Sequence, residues 1–545
     1  MGETAMNYLQ GEKPLHEYLR QHARVQPDKA ALIWYGRRIS FAQLDAASDS
    51  FAAELQRIGV GRGDRVALFM QNCPQYLIAH FAIQKLGAVV SPCSPMFKAH
   101  EFAYQVGDLD AKAIVAGDHL VPIVQSVRNR VPVKHVYSVR YADFLPDVPT
   151  LRVPDEVSRR HDTPPGTVDF GEVIARGDVP LPVPALDMDD VALMTYTSGT
   201  TGMPKGAMLT YRNALYKTAV GELMFRIRAD DVVLAVAPLY HIAGMICGLT
   251  LLAYTGATVV LLNRMDPLAA LQAMDRHRVT WWYAMAPMLE AVMSEPQAKD
   301  FDRSALHTTM ATSFGIKLTE GLAQRWSRFA NDCLVYEAGY GLSETHTNDV
   351  LMPRDAVRWG TNGVPGQGVQ LKILGADGRE LATGESGEIA LKSAGVFKGY
   401  WNRPEATAEV LRDGWVHTGD IGKMDAHGYL TFIGRVKEMI KVSGYSVFPE
   451  EVEAILILHP DVSQVAVIGV PDAHKGEVVK AFIVPRRRES FDAEAVLAWA
   501  RENMSHYKVP RAVEVIDALP ATGAGKVLRR LLRDHGAGAS AGYLP

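Results

Sequence analysis

The segment Tyr196 to Gly206, YTSGTTGMPKG, gathers hydroxyls and glycines into one short loop behind the apolar, strand-like ALMTYT. Thr197, Ser198, Thr200 and Thr201 supply hydroxyl donors, while Gly199, Gly202 and Gly206 let backbone N–H groups approach a phosphate with no Cβ in the way. By composition this is a phosphate cradle. It is not a Walker A loop, because that pattern needs Ser or Thr after its lysine and Lys205 is followed by Gly206. A second cluster, Tyr340-Gly341-Leu342-Ser343-Glu344-Thr345, follows the strand-like LVYEAG. Its aromatic ring can stack on a purine, Thr345 can bond a phosphate, and Glu344 can serve Mg²⁺ as a hard oxygen ligand.

Such residues need a scaffold, and the surrounding pattern supplies one. Through the first two thirds of the chain, β-branched runs (RVALFM, AVVSP, AKAIVAG, KHVYSV, VVLAVAP, TVVLL) alternate with amphipathic segments, which implies layered α/β units. The stretch FAQLDAASDSFAAELQRIG has helical spacing and stops at Gly59. From about Gly360 to Gly434 short strands follow closely spaced Gly and Asp-Gly turns, reading as a small β subdomain. Beyond GRVKEMIK the pattern gives a smaller α+β unit. The expected fold is therefore α/β: a large body of several subdomains over residues 1–434, with 360–434 as its small β part, and a smaller α+β C-terminal lid over 438–545.

Composition bounds the function. Lys plus Arg is 57 against Asp plus Glu 61, a net charge of −4, so no global basic field holds nucleic acid. Small-molecule partners are expected instead. Cys73, Cys93, Cys247 and Cys333 lie far apart with no metal-ligand spacing, which fits a reducing, cytoplasmic setting. The N-terminal residues carry charges where a secretion signal needs an apolar core. Val232 to Leu262 contains no Asp, Glu, Lys or Arg, and is long enough to cross a bilayer, but Pro238, His241 and several glycines divide it into strand, helix and strand. This stretch and the RRLLR segment permit weak peripheral membrane contact, which core packing and a solvated basic face explain equally well. The oligomeric state stays open, a homodimer included.

The sequence resembles the adenylate-forming superfamily over nearly its whole length. Six segments match in the family's order: the 196–206 loop, APLYHIAG at 237–244, YGLSET at 340–345, DGWVHTGD at 413–420, GRVKEMIKVSGYSVFPEEVE at 434–453 and LPATGAGKVLRR at 519–530. The likeness is strongest to fatty acyl-CoA synthetases. It implies an AMP-forming acid–thiol ligase using ATP, Mg²⁺ and CoA, with Thr200 and Glu344 catalytic and Lys205, Tyr340, Gly341 and Thr345 on the nucleotide. It implies further that Asp420 and Arg435 bind ribose or phosphate and that Lys526 is the catalytic lysine of adenylation. Ala521 and Ala524 depart from the Arg and Thr common in that motif.

The resemblance also implies a hinge within 435–437, at Lys437. Rotation there would exchange Lys526 for the loop Lys441 to Tyr445, in which Gly444 leaves room for a pantetheine arm. Tyr240-His241 would lie beside the substrate carboxylate, with Trp282, Phe314 and Gly315 lining the acyl cavity. These apolar surroundings favour a hydrophobic monocarboxylic acid, a medium- or long-chain fatty acid first. An aryl-CoA ligase is the alternative, and a binder of nucleotide or acyl groups without turnover is the third reading.

Overall fold

Apolar runs flanked by amphipathic helices bury both faces of a sheet when the strands run parallel with helices on either side. The computed structural model, which describes residues 6–131, 133–197, 203–313, 318–442, 445–472, 476–522 and 526–538, solves the problem twice. One seven-stranded sheet has the order Leu334–Glu337, Thr308–Thr312, Trp281–Met285, Val232–Ala235, Thr258–Leu261, Ala30–Trp34, Arg37–Ser40. The other runs Val168–Asp169, His135–Val139, Ala113–Gly117, Arg65–Phe69, Val89–Cys93, Val191–Thr197, Lys205–Thr210. Both are parallel except for a hairpin at one edge.

A five-stranded antiparallel sheet follows, from Gln370–Leu374 to Leu430–Arg435. The short 3₁₀ turn Val436–Glu438 then leads to a separate five-stranded sheet built on the long pair Val462–Asp472 and Gly476–Pro485. This last sheet has its own apolar core, including Val452, Leu456, Val467, Ile483 and Val496. The chain is thus a large α/β body followed by a smaller α+β unit.

Local chemistry sets the helix ends. Ser40 and Gln43 form a capping box for Phe41–Arg57, and Gly59 closes that helix at φ +81°. Thr210 and Asn213 do the same for Tyr211–Phe225. The uncharged 232–262 stretch folds as strand Val232–Ala235, a helical segment from Ile242 to Thr255, and strand Thr258–Leu261 paired in parallel with the first. Its helix carries a π-helical stretch, Ile246–Thr250, at its centre. Among the described residues no helix is long and apolar enough to cross a membrane.

Candidate active site

The described ends of the glycine-rich segment belong to the hairpin of Val191–Thr197 and Lys205–Thr210, with Thr197 opposite Lys205 and Tyr196 opposite Gly206. Ser198, Gly199, Thr200, Thr201 and Gly202 lie outside the described residues. Gly206 serves packing here rather than phosphate approach: a Cβ would fall 2.8 Å from Met194 Sδ and 3.2 Å from Tyr196 Cζ. The Lys205 ammonium sits 5.2 Å from the centre of the Tyr400 ring.

Tyr400 also donates its hydroxyl to Glu344 Oε1 at 2.6 Å, joining the phosphate hairpin to the second cluster. Glu344 is half-buried in the 3₁₀ turn Ser343–Thr345. Its Oε2 takes no hydrogen bond among the described residues, so one carboxyl oxygen is open to a hard cation such as Mg²⁺. Sequence reasoning misses Tyr400, since a tyrosine within KGYWNRP has no signal of its own. Gly341 has a steric reason: a Cβ there would lie 2.7 Å from Thr347 Cα.

Thr345 is placed otherwise than expected. Its side chain is fully buried and its hydroxyl is bound to Asp349 and Leu342, so it cannot reach a phosphate. Ser343, in the same turn, is half-buried and its hydroxyl has no hydrogen bond among the described residues. It is the better phosphate candidate.

The residues expected on the sugar meet across strands Trp415–Met424 and Leu430–Arg435, where Asp420 pairs with Arg435. Tyr340 donates to Asp420 Oδ2 at 2.7 Å and stacks one face on Phe432. Arg435 Nε lies 3.0 Å from Asp420 Oδ1, yet out of hydrogen-bond alignment, leaving that buried oxygen without a hydrogen-bond donor among the described residues. A ribose hydroxyl would satisfy it, since buried acceptors carry a cost when unpaired. Burial pushes the Asp420 carboxyl above its usual range, against the pull of Arg435, the Tyr340 hydroxyl and Lys526. Arg435 is opposed by burial but held more firmly charged by Asp420 and Glu438.

Lys526 stands in a narrow turn, its N–H donating to Thr522 Oγ1 and its carbonyl accepting from the Thr522 N–H. Ala521 pairs with Val527 through backbone alone, so that departure from the family pattern leaves the turn intact. Ala524 lies outside the described residues. Burial and then Arg435 lower the Lys526 pKa, while Glu438 and Asp420 pull it back. His241, at the start of the Ile242–Thr255 helix, feels the same lysine; burial first and Lys526 second hold it down at about 4. It is a neutral imidazole at pH 7, able to bond a carboxylate without pairing its charge. Gly244 lets this helix begin against the Pro238 carbonyl, where a Cβ would fall 2.2 Å from the oxygen.

The acyl side needs a correction. Trp282 is fully buried and packs on Trp326 of helix Glu320–Phe329, so it belongs to the core. Strand alternation puts Trp281 and Tyr283 on the opposite face, where Trp281 meets Phe225 and the Tyr283 hydroxyl lies near Cys247 of the π-helical stretch. Tyr283 is therefore the better wall candidate. Phe314 and Gly315 fall outside the described residues.

Lys437 is exposed in the turn Val436–Glu438. Lys441, also exposed, opens the hairpin Ile440–Val442 and Tyr445–Val447, its amide donating to Glu477 at 2.8 Å; Gly444 lies outside the described residues. Beside this hairpin, Arg529 binds Glu438 at 2.5 Å, Glu450 at 3.0 Å and Glu453 at 2.8 Å. No local pattern in the sequence announces this cluster.

Two parallel-sheet layers, a hydroxyl-rich hairpin, a buried carboxylate facing an arginine and a lysine brought in from a separate small unit define a nucleotide-binding enzyme of two parts. Residues 19–401 match the AMP-binding enzyme family and residues 451–526 the AMP-binding enzyme C-terminal domain, and the chain belongs to this family. It is 33% identical over 541 residues to a long-chain-fatty-acid–CoA ligase of Bacillus subtilis (strain 168), covering 96% of this chain and 94% of that one. It is 36% identical over 518 residues to a feruloyl-CoA synthase of Amycolatopsis sp, covering 94% and 97%. Its structure is similar to that of the anthranilate CoA ligase AuaEII in complex with anthranoyl-AMP, with a TM-score of 0.84 at 26% identity over 97% and 98% of the chains.

Proposed function

We propose that this AMP-forming acid–CoA ligase activates a hydrophobic monocarboxylic acid, with medium- and long-chain fatty acids as the preferred class. The observation that carries the reading is the wall beside His241: Ile242, Met245 and Cys247 on one helix and Tyr283 and Met285 on the facing strand, apolar or uncharged throughout. Such a wall suits an alkyl chain or a ring, and none of these five residues offers a cation to a second carboxylate. The feruloyl-CoA synthase relative favours a second reading, an aromatic acid.

In the first half-reaction the acid's carboxylate oxygen attacks the ATP α-phosphorus and pyrophosphate leaves. In the second, the CoA thiolate attacks the acyl carbon and AMP leaves. No protein nucleophile is needed. Asp420 and Arg435 would hold the ribose, Tyr340 the purine side, and Ser343 with the glycine-rich loop the phosphates. Glu344, oriented by Tyr400, would hold Mg²⁺, which neutralises phosphate charge. Lys526 would stabilise the charge that develops at the α-phosphate, and neutral His241 would orient the acid. Lys437 is the proposed pivot that later withdraws Lys526 and presents the Lys441 loop to CoA.

The test is CoA-thioester formation across short, medium and long fatty acids beside benzoate, cinnamate and ferulate types, with AMP release followed in parallel. The expected result is a kcat/KM maximum among the longer aliphatic acids. A maximum among the aromatic acids would replace the fatty-acid reading with the aryl one, and silence with every acid would remove the ligase assignment.

A further inference from the structure

Helix Tyr211–Phe225 contains Lys217, whose side chain has no exposure at all and whose ammonium lies 2.5 Å from Asp349 Oδ1, itself at zero exposure. Asp349 spends its other oxygen on the Thr345 hydroxyl, and Thr345 follows Glu344 directly. Between them the backbone does something rare. His346, Thr347 and Asn348 have φ of 57°, 54° and 52°, consecutive left-handed residues none of which is glycine. Each such residue is unfavourable alone and persists only where its surroundings impose it.

The surroundings here are specific. The Thr347 N–H donates to the Leu342 carbonyl at 2.7 Å, Lys217 Nζ lies 3.3 Å from the Asn348 carbonyl, and glycine at 341 keeps Thr347 in contact. Gly395 leaves room for the lysine stem, since a Cβ there would fall 2.1 Å from Lys217 Cε and 2.9 Å from the Thr345 carbonyl. The same helix pins the other side of Glu344: Asn213 Nδ2 donates to the Ala394 and Val396 carbonyls, and the next residue, Phe397, donates its N–H to the Glu344 carbonyl at 2.9 Å.

We propose that the buried Lys217–Asp349 pair, acting through Thr345 and the left-handed turn, is a positioning device that fixes where Glu344 presents its carboxylate to the nucleotide-bound cation. Stability alone does not account for the pair, because well-packed apolar residues in place of a buried ion pair are often as stable or more so. What apolar residues cannot do is hold the Thr345 hydroxyl and thereby the turn. Lys217 and Asp349 are positioning residues, and the inference rests on the reading of Glu344 as the magnesium ligand.

The experiment measures ATP binding by calorimetry, in EDTA and over a range of free Mg²⁺, for the wild type, Thr345→Val, Thr345→Ser, the double variant Lys217→Met with Asp349→Leu, and Glu344→Gln. Thermal melting is recorded for each. The expected result is that Thr345→Val and the double variant bind ATP in EDTA as the wild type does, but need about 10- to 100-fold more Mg²⁺ for tight binding. Thr345→Ser restores the wild-type requirement. Folded Thr345→Val or double variants with an unchanged Mg²⁺ requirement, beside a Glu344→Gln variant that has lost it, overturn the proposal while leaving the metal reading standing. An unchanged requirement in Glu344→Gln takes down the metal reading and the proposal with it. Should the double variant fail to fold, Thr345→Val leaves the ion pair in place and decides alone.

Discussion

Two buried charge clusters flank the site, and they are built on opposite principles. Beneath Glu344, Lys217 and Asp349 form a balanced pair with no exposure on either side. Beside Lys526, Arg529 faces Glu438, Glu450 and Glu453, one cation against a surplus of carboxylates that remain partly open to water. Burial, against the pull of Arg529, pushes Glu450 up to about 7, with neighbouring Glu453 adding to the rise. A balanced dry pair has one arrangement of low energy. A crowded, unbalanced one trades protons and partners readily. The first suits the proposed role of Glu344 as a fixed metal ligand, the second the proposed withdrawal of Lys526 between half-reactions.

Mutations sharpen that contrast. The largest effect is expected from Lys217→Met, which strands Asp349 as an unpaired buried charge and should lower unfolding free energy by about 3–5 kcal/mol; a loss under about 1 kcal/mol in a denaturant titration would end the idea of a rigid anchor. Lys526→Ala comes next. Pyrophosphate exchange should fall by about 10²–10³-fold while thioester formation from supplied acyl-AMP persists, and equal loss in both would place the lysine outside adenylation.

Arg529→Met should cost less, about 1–3 kcal/mol near pH 8 and less near pH 5, because protonation relieves the stranded carboxylates. A pH-independent loss would make this cluster as fixed as the other.

The smallest effect belongs to Glu450. Its folded pKa, pushed up to about 7, lies above the usual unfolded value of about 4.3. Between these limits the folded state keeps a proton that the unfolded state has lost, so this group makes stability fall as pH rises through the window and leaves it flat above. Glu450→Gln should remove part of that slope and stabilise the fold most above pH 7, Glu453 retaining the rest. An identical slope in melts of the variant would show that Glu450 is already ionised and the cluster tighter than described.

Much of this architecture is legible in the sequence alone. Strict polar–apolar alternation is not needed to find a parallel sheet when runs such as RVALF, AIVAG and HVYSV are continuous and β-branched, and each forms a strand. Strand Thr308–Thr312, with sequence TTMAT, is harder to see because its threonines pass for loop residues until both faces are covered. At the site, ordered motifs single out Tyr340, Asp420, Arg435 and Lys526, and the structure brings them together. Thr345 and Ser343 look alike in a sequence, as hydroxyls two residues apart; only the buried Asp349 distinguishes them. Resemblance alone names Trp282 for the acyl side; that it packs on Trp326, with Tyr283 on the other face, shows only in the fold. Lys217 and Asp349 stand 132 residues apart and carry no local pattern, so their pairing is a property of the fold alone.

The π-helical stretch at Ile246–Thr250 marks where the helix that starts after His241 holds a residue more than ordinary winding needs. Each residue of ordinary helix turns the chain by about 100°, and a π-turn takes up one residue beyond that winding, so deleting one here would leave the flanking turns facing as they do now. Only the side chains of the π-turn itself would be redistributed, while the ends stay anchored by Gly244 and Gly256. The same loss one turn earlier, in ordinary helix, would set one flank against the other.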